Sequence, residues 1–146
     1  MPGLSSTQRG GRRGVATVEE RFAAVPYCYL LTAGRQSGRP HEIEIWFVAR
    51  GDTVYLLNGG GKRPPGESDW VRNLRADPMA RLRISGVPFM ATARFPAEGS
   101  PEDREHRAAI VAKYSGSKDA GDLTGWRDTG FLVALDLTPA EGRPPG

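Results

Sequence analysis

Short runs of alternating or apolar residues, each closed by a tight-turn signal, govern what this chain can fold into. His41 to Ala49 places Glu42, Glu44, Trp46 and Val48 on one side and Ile43, Ile45 and Phe47 on the other. That period of two specifies a strand with one face wet or lining a ligand site. Arg50-Gly51-Asp52 closes the run as a hairpin turn, and Thr53 to Leu57 is the return strand. Before it, Tyr27 to Thr32 is a strand by aromatic and apolar content, followed by a turn over Gly34-Arg35-Gln36-Ser37-Gly38-Arg39-Pro40. Ala80 to Ile84 and Phe89 to Phe95 flank a Ser85-Gly86 turn, and Phe131 to Leu137 is the last strand. Thr17-Val18-Glu19-Glu20 fits a capping box and opens a short helix through Phe22. Ser100-Pro101-Glu102-Asp103 opens a longer helix to about Tyr114 that buries Ile110 and Val111, and a polar loop follows. About six antiparallel strands with two or three helices make a mainly β, α+β chain. The expected architecture is an antiparallel barrel with helices over its open edges.

The third helix candidate and the loop before it carry the strongest chemical signal. Asn58-Gly59-Gly60-Gly61-Lys62-Arg63 reads as a strand end and a flexible basic loop. Ser68 to Ala76 then reads as a short helix, with Ser68 as N-cap, Asp69 at the positive end, and Arg72 and Arg75 toward the other end. Asp77 before Pro78 stops it. Glycines that turn N–H groups outward, then cations and a helix N-terminus, make an anion site. It is not a Walker loop, because Arg63 and not Ser or Thr follows Lys62.

With 146 residues the chain suits one domain, read here as residues 17–138, with a disordered tail at 1–16 and a flexible tail at 139–146. No apolar run approaches a membrane span, and the N-terminus lacks a secretory apolar segment, so the expectation is a cytoplasmic chain without stable membrane insertion. Cys28 is the only cysteine, which excludes an intramolecular disulfide. The net charge of +3 is carried almost wholly by arginine, four of them (Arg9, Arg12, Arg13, Arg21) near the N-terminus. No basic stretch has interleaved aromatics, and nucleic-acid binding ranks last among the readings.

Three blocks, in order, resemble the deazaflavin-dependent nitroreductase and quinone-reductase family, a group of split-barrel flavin and deazaflavin oxidoreductases found in actinobacteria. Thr32 to Pro40 is similar to its T-x-G-R-[KR]-S-G-x-P turn. Ile45-Trp46-Phe47-Val48, Gly51-Asp52 and Tyr55-Leu56-Leu57-Asn58-Gly59-Gly60 form the second block. Trp70-Val71-Arg72-Asn73-Leu74-Arg75-Ala76-Asp77-Pro78 is similar to its W-x-x-N-L-x-A-x-P. The resemblance implies a split β-barrel that binds coenzyme F420 and passes a hydride to a quinone, a nitroaromatic or an activated enone. It implies that Arg35, Gln36, Ser37, Gly38 and Arg39, with Asn58, Gly59, Gly60, Lys62 and Arg63, hold the phosphate and acidic tail. The ring would lie near Trp46, Leu57 and Asn58. Trp70 either packs on the coenzyme or anchors the core. Gln36 stands where the family has a second cation, and Glu44 where a proline is common.

Arginine suits phosphate and carboxylate through its charged fork. Hydride transfer needs no side-chain nucleophile; Tyr114, Ser37 and Tyr29 are the candidate proton donors. His41 and His106 have no companions at ligand spacing, so no metal is expected, and Cys28 reads as a buried small hydrophobe. Trp126 and Tyr114 flank a loop bordering the substrate pocket. Two rivals stay open: FMN on the same fold, needing fewer cations, and a non-catalytic flavin or deazaflavin carrier. A small-molecule substrate is expected, and a homodimer is compatible with the fold.

Overall fold

The computed structural model describes residues 16–59, 64–115 and 122–139. In chain order its elements are α1 (Val18–Phe22), β1 (Cys28–Ala33), β2 (Pro40–Ile45), β3 (Val48–Arg50), β4 (Thr53–Asn58), α2 (Asp69–Ala76), β5 (Met79–Ile84), β6 (Val87–Arg94), α3 (Pro101–Tyr114), α4 (Thr124–Thr129) and β7 (Phe131–Pro139). The strands form one antiparallel sheet in the order β2-β1-β5-β6-β7-β4-β3, curled into a half-barrel.

Among the described residues the sheet has seven strands, where about six were expected, and the extra one comes from a split. The run from His41 to Ala49 alternates as one strand would, yet it is two. Its first part pairs with β1 and its last part with β4, at opposite edges of the sheet. Trp46 and Phe47 make the crossing. Phe47 has left both ladders, and its backbone groups find side chains instead: the Tyr114 hydroxyl accepts from its N–H at 3.0 Å, and Lys113 Nζ donates to its carbonyl at 2.9 Å. Because the two edge strands are consecutive in sequence, the sheet must curl.

The inside of the curl is the main core. Leu30, Val54, Leu56, Leu82, Ile84, Val133 and Leu135 are all buried, and α2 lays Trp70, Val71 and Leu74 among them. Each such side chain contributes roughly 1.5–3 kcal/mol. Alternation on β4 sends Tyr55 and Leu57 to the other face, where Ile110, Val111 and Tyr114 of α3 cover them. Hairpin β5–β6 turns through Ser85 (φ 49°) and Gly86 (φ 81°), the mirror-image turn that matches strand twist.

The capping box of α1 is formed in both directions, between Thr17 and Glu20. The helix is fastened to the β3–β4 turn: Glu19 N–H donates to the Gly51 carbonyl at 2.9 Å, and Val18 N–H to Asp52 Oδ1 at 3.0 Å. Ser100 caps α3 as expected, accepting from Asp103 N–H. Ser68 does not cap α2; its hydroxyl accepts from Asn58 Nδ2 at 2.8 Å. Four helices replace the expected two or three, because α4 occupies part of the stretch read as a polar loop. Its six residues include a glycine and two threonines, have no side-chain cap and bury nothing, so no periodic signal marks it.

Candidate functional site

At one end of β2 the Gly34–Pro40 turn folds on itself. Gly34 N–H donates to the Arg39 carbonyl at 2.8 Å, and Gly38 N–H to the Gly34 carbonyl at 2.7 Å. Gly38 sits at φ 75°, where a side chain would be strained. Ser37 Oγ accepts from Arg39 N–H at 3.1 Å. Among the described residues, nothing accepts from the N–H groups of Gln36 and Ser37. Arg35, Gln36, Ser37 and Arg39 line a cavity of about 320 Å³ shared with Asp69 and Asn73 of α2. Arg35 leans toward that helix: its N–H and Nη1 both donate to Asn73 Oδ1 at 3.0 Å, and Nη2 lies 3.4 Å from Asp69. Asn73 completes the link by donating to Thr32 Oγ1 at 3.0 Å. The turn thus has two amides without an acceptor among the described residues and an exposed Arg39, with Arg35 partly compensated by α2.

At the other end of β2, Glu44, Ile45 and Trp46 meet Leu57 and Trp126 around a cavity of about 310 Å³. Trp46 lies flat on Tyr114, ring centroids 4.1 Å apart and planes 7° apart, and Trp126 meets it edge-on at 5.7 Å. Trp126 Nε1 donates to the Leu57 carbonyl at 3.0 Å. Two glycines make room for that indole and its helix. A Cβ on Gly59 would lie 3.0 Å from Trp126 Cδ1, and one on Gly130 would lie 2.7 Å from Leu57 Cγ.

The structure therefore brings Trp46 and Leu57 together with Gly59 at the border, but not Asn58. Adjacent strand residues face opposite ways. Asn58 is buried, accepts from Gly66 N–H at 2.7 Å and donates to Ser68, and so braces the 59–68 connection. Trp70 is 7% exposed within the barrel core and lines neither cavity. Gly60, Lys62 and Arg63 lie outside the described residues, as do the tail segments 1–15 and 140–146.

Of the proton-donor candidates, Ser37 sits on the turn. The Tyr29 hydroxyl donates to Glu44 Oε1 at 3.1 Å, and that bond holds its proton more tightly than usual. Tyr114 turns its hydroxyl away from the cavity, to the Pro26 carbonyl (2.6 Å) and the Phe47 backbone, and burial pushes it up to about 12. Cys28 is fully buried and its thiol is likewise pushed up to about 12. Among the described residues no three His, Cys, Asp or Glu side chains gather as metal ligands. His106 stacks on Tyr55 at 3.8 Å.

A further cavity, of about 740 Å³, lies where α3, the end of α4 and the start of β7 meet, and is lined by none of the candidate site residues. Its wall includes Asp103 and Arg107, paired at 2.8 Å, with Arg107 Nη1 donating to the Arg127 carbonyl at 2.7 Å. Burial acts to raise the Asp103 carboxyl, but Arg107 and the Gly99 N–H outweigh it and hold it below the usual range. Sequence reasoning passed over Asn73 and Lys113. Lys113 had one signal, its place three residues after Ile110 on the apolar side of α3.

The family model described as F420H(2)-dependent quinone reductase matches residues 5–126. Among solved structures, an F420-H2 dependent reductase is similar over 77% of this chain and 94% of its own, with 16% identity and a TM-score of 0.59. HutZ, the heme storage protein from Vibrio cholerae, is similar over 81% and 84%, with 17% identity and a TM-score of 0.61. A FAD-binding protein from Mesorhizobium loti is similar over 85% and 91%, with 14% identity and a TM-score of 0.56. At these identities the likeness to the solved structures is one of fold, a split-barrel arrangement.

Proposed function

This chain belongs to the F420H(2)-dependent quinone reductase family, and from that premise we propose that it reduces an electron-poor small molecule, a quinone, nitroaromatic or activated enone, at the expense of reduced F420. The observation that carries the reading is the pair of cavities at the two ends of β2. Pro40 and Ile45, at those ends, are roughly 17 Å apart at the rise of a strand. An elongated ligand with a flat ring at one end and an anionic tail at the other suits that spacing.

The donor set fits such a ligand. The Gln36 and Ser37 amides, with Arg39, offer the directed N–H groups that phosphate and carboxylate oxygens require. Trp46, Leu57 and Trp126 offer apolar and aromatic surface to a ring. When bound, the coenzyme supplies the hydride. The chain's own work is to grip the anionic end, fix the ring's plane against the indoles and keep water from its face. Glu44, at the cavity rim, favours acceptors that bring a hydrogen-bond donor or a positive charge. FMN on the same fold is the second reading, favoured by one observation: Asn73 and Asp69 already engage Arg35, which leaves less cationic charge for a long acidic tail.

Titration with oxidised F420 and with FMN decides between them, and turnover of reduced F420 with menadione separates enzyme from carrier. The expected result is F420 binding weakened several-fold by Arg39→Ala, and menadione-dependent oxidation of reduced F420. Binding of neither ligand overturns both readings.

A further inference from the structure

The indole wall of the ring cavity is held from behind. Val25-Pro26, just before β1, and the Trp46–Phe47 crossing both present backbone carbonyls toward the end of α3. Lys113 Nζ donates to the Val25 carbonyl at 2.8 Å and to the Phe47 carbonyl at 2.9 Å, and stands 3.8 Å above the Phe47 ring. Tyr114 cannot do this alone. It has one hydroxyl proton, and the Pro26 carbonyl at 2.6 Å is a nearer acceptor than the Phe47 carbonyl at 3.1 Å. The Phe47 carbonyl therefore depends on Lys113. The ring of Tyr114, set by the same attachment, is the surface on which Trp46 lies.

We propose that Lys113 is a positioning residue for the coenzyme cavity: its ammonium fastens the crossing between the two sheet edges to α3 and thereby fixes the plane of the Trp46 indole. The inference rests on the reading of that cavity as the ring site. It also makes the site responsive to pH. Burial brings the ammonium down to about 8. The titratable groups recorded against Lys113 among the described residues are Cys28 from β1 and Tyr114 on its own helix, and both keep their protons there. The crossing and the Val25 segment face it with carbonyls and a ring only. Loss of the charge turns two charge-assisted hydrogen bonds and a cation–π contact into weaker neutral ones.

The test compares the full-length protein with Lys113→Met and Lys113→Arg. Oxidised F420 is titrated across pH from about 6.5 to about 9.5, and near-ultraviolet circular dichroism of the free protein reports the Trp46–Tyr114 stack over the same range. Expected for Lys113→Met are an unchanged far-ultraviolet spectrum, a diminished aromatic band and a dissociation constant raised roughly tenfold, the scale of one charge-assisted hydrogen bond. Lys113→Arg restores most of the affinity. In the wild type the aromatic band and the affinity decline together as pH passes about 8; in Lys113→Met neither changes over that interval. A Lys113→Met protein whose far-ultraviolet spectrum, aromatic band and affinity all match those of the wild type overturns the proposal, and a wild type that stays flat through that pH overturns its pH dependence. A wild type that binds no F420 at any pH overturns the coenzyme reading instead, while the aromatic titration still judges Lys113.

Discussion

Two asparagines show how much one side chain can decide. Asn58 and Asn73 are both buried, and each spends its amide on a different join: Asn58 holds Gly66 and Ser68, and Asn73 holds Arg35 and Thr32. Asn73→Ala strips partners from a guanidinium and a buried hydroxyl at once, and should cost about 2–3 kcal/mol in urea unfolding. Gly130→Ala is a packing prediction. Its new Cβ would press on Leu57 and on the Trp126 carbonyl, both at 2.7 Å, so the substitution should lower stability by about 1–3 kcal/mol and weaken coenzyme binding together. A thermal scan and an F420 titration of the same preparation check it. In the sequence Asn58 looks like a site residue, because an amide carries no mark of which way it points, and nothing there marks Asn73 as more than a part of its helix. The alternation of Leu57 and Asn58 does carry one: the two cannot face the same ring.

At the scale of elements, local chemistry identified what it controls. The capping box of α1, the Ser100-Pro101 start and the Asp77-Pro78 stop all sit where their backbone logic requires, while Ser68 spends its hydroxyl on Asn58 and leaves α2 uncapped. Residues 41–49 and 124–129 escaped for opposite reasons. The first keeps a perfect period across a change of partner, since Phe47 is satisfied by Tyr114 and Lys113, far along the chain. The second is a helix with no buried residue, attached through Trp126 and through the Arg127 carbonyl. An element held by so few ties should open easily. Amide exchange in α4 is expected to be fast relative to β4 and β7. Trp126→Phe, which removes the bond to Leu57, should speed it further while changing global stability by less than about 1 kcal/mol. Equal loss of protection across β4 would count against this.

For the whole molecule, charge couples the layers. Arg94 on β6 joins Asp136 on β7 at 2.6 Å and Glu102 on α3 at 3.1 Å, and Tyr55 on β4 donates to Glu102 at 2.7 Å. Arg94 holds both carboxyls below their ordinary range. Folded values below unfolded ones mean stabilisation that is present at neutral pH and lost as acid protonates the folded pair. Acid unfolding should therefore steepen below about pH 4, and Arg94→Met should flatten that slope. The alkaline side begins with the same sign. With Lys113 lowered from 10.5 to about 8, the unfolded chain keeps its proton longer, so stability rises with pH from about 8 until it reaches the ordinary value of the Cys28 thiol, 9.0, above which that buried group acts the other way. Lys113→Met should abolish the rise.

The crossing at Trp46 and Phe47 also fixes a length. Three peptide steps separate Ile45, the last residue of one outermost strand, from Val48, the first of the other. Fully stretched, they reach about 10 Å, or about two inter-strand spacings. At that corner the mouth of the barrel can be no wider than the place of a single missing strand, however the rest of the sheet flexes. A planar guest fits such a slot and a globular one does not. The aperture is a covalent constant of the chain, so a variant with a few residues inserted between Trp46 and Phe47 is expected to bind bulkier ligands than the wild type does, which a competition titration with planar and bulky ring compounds checks.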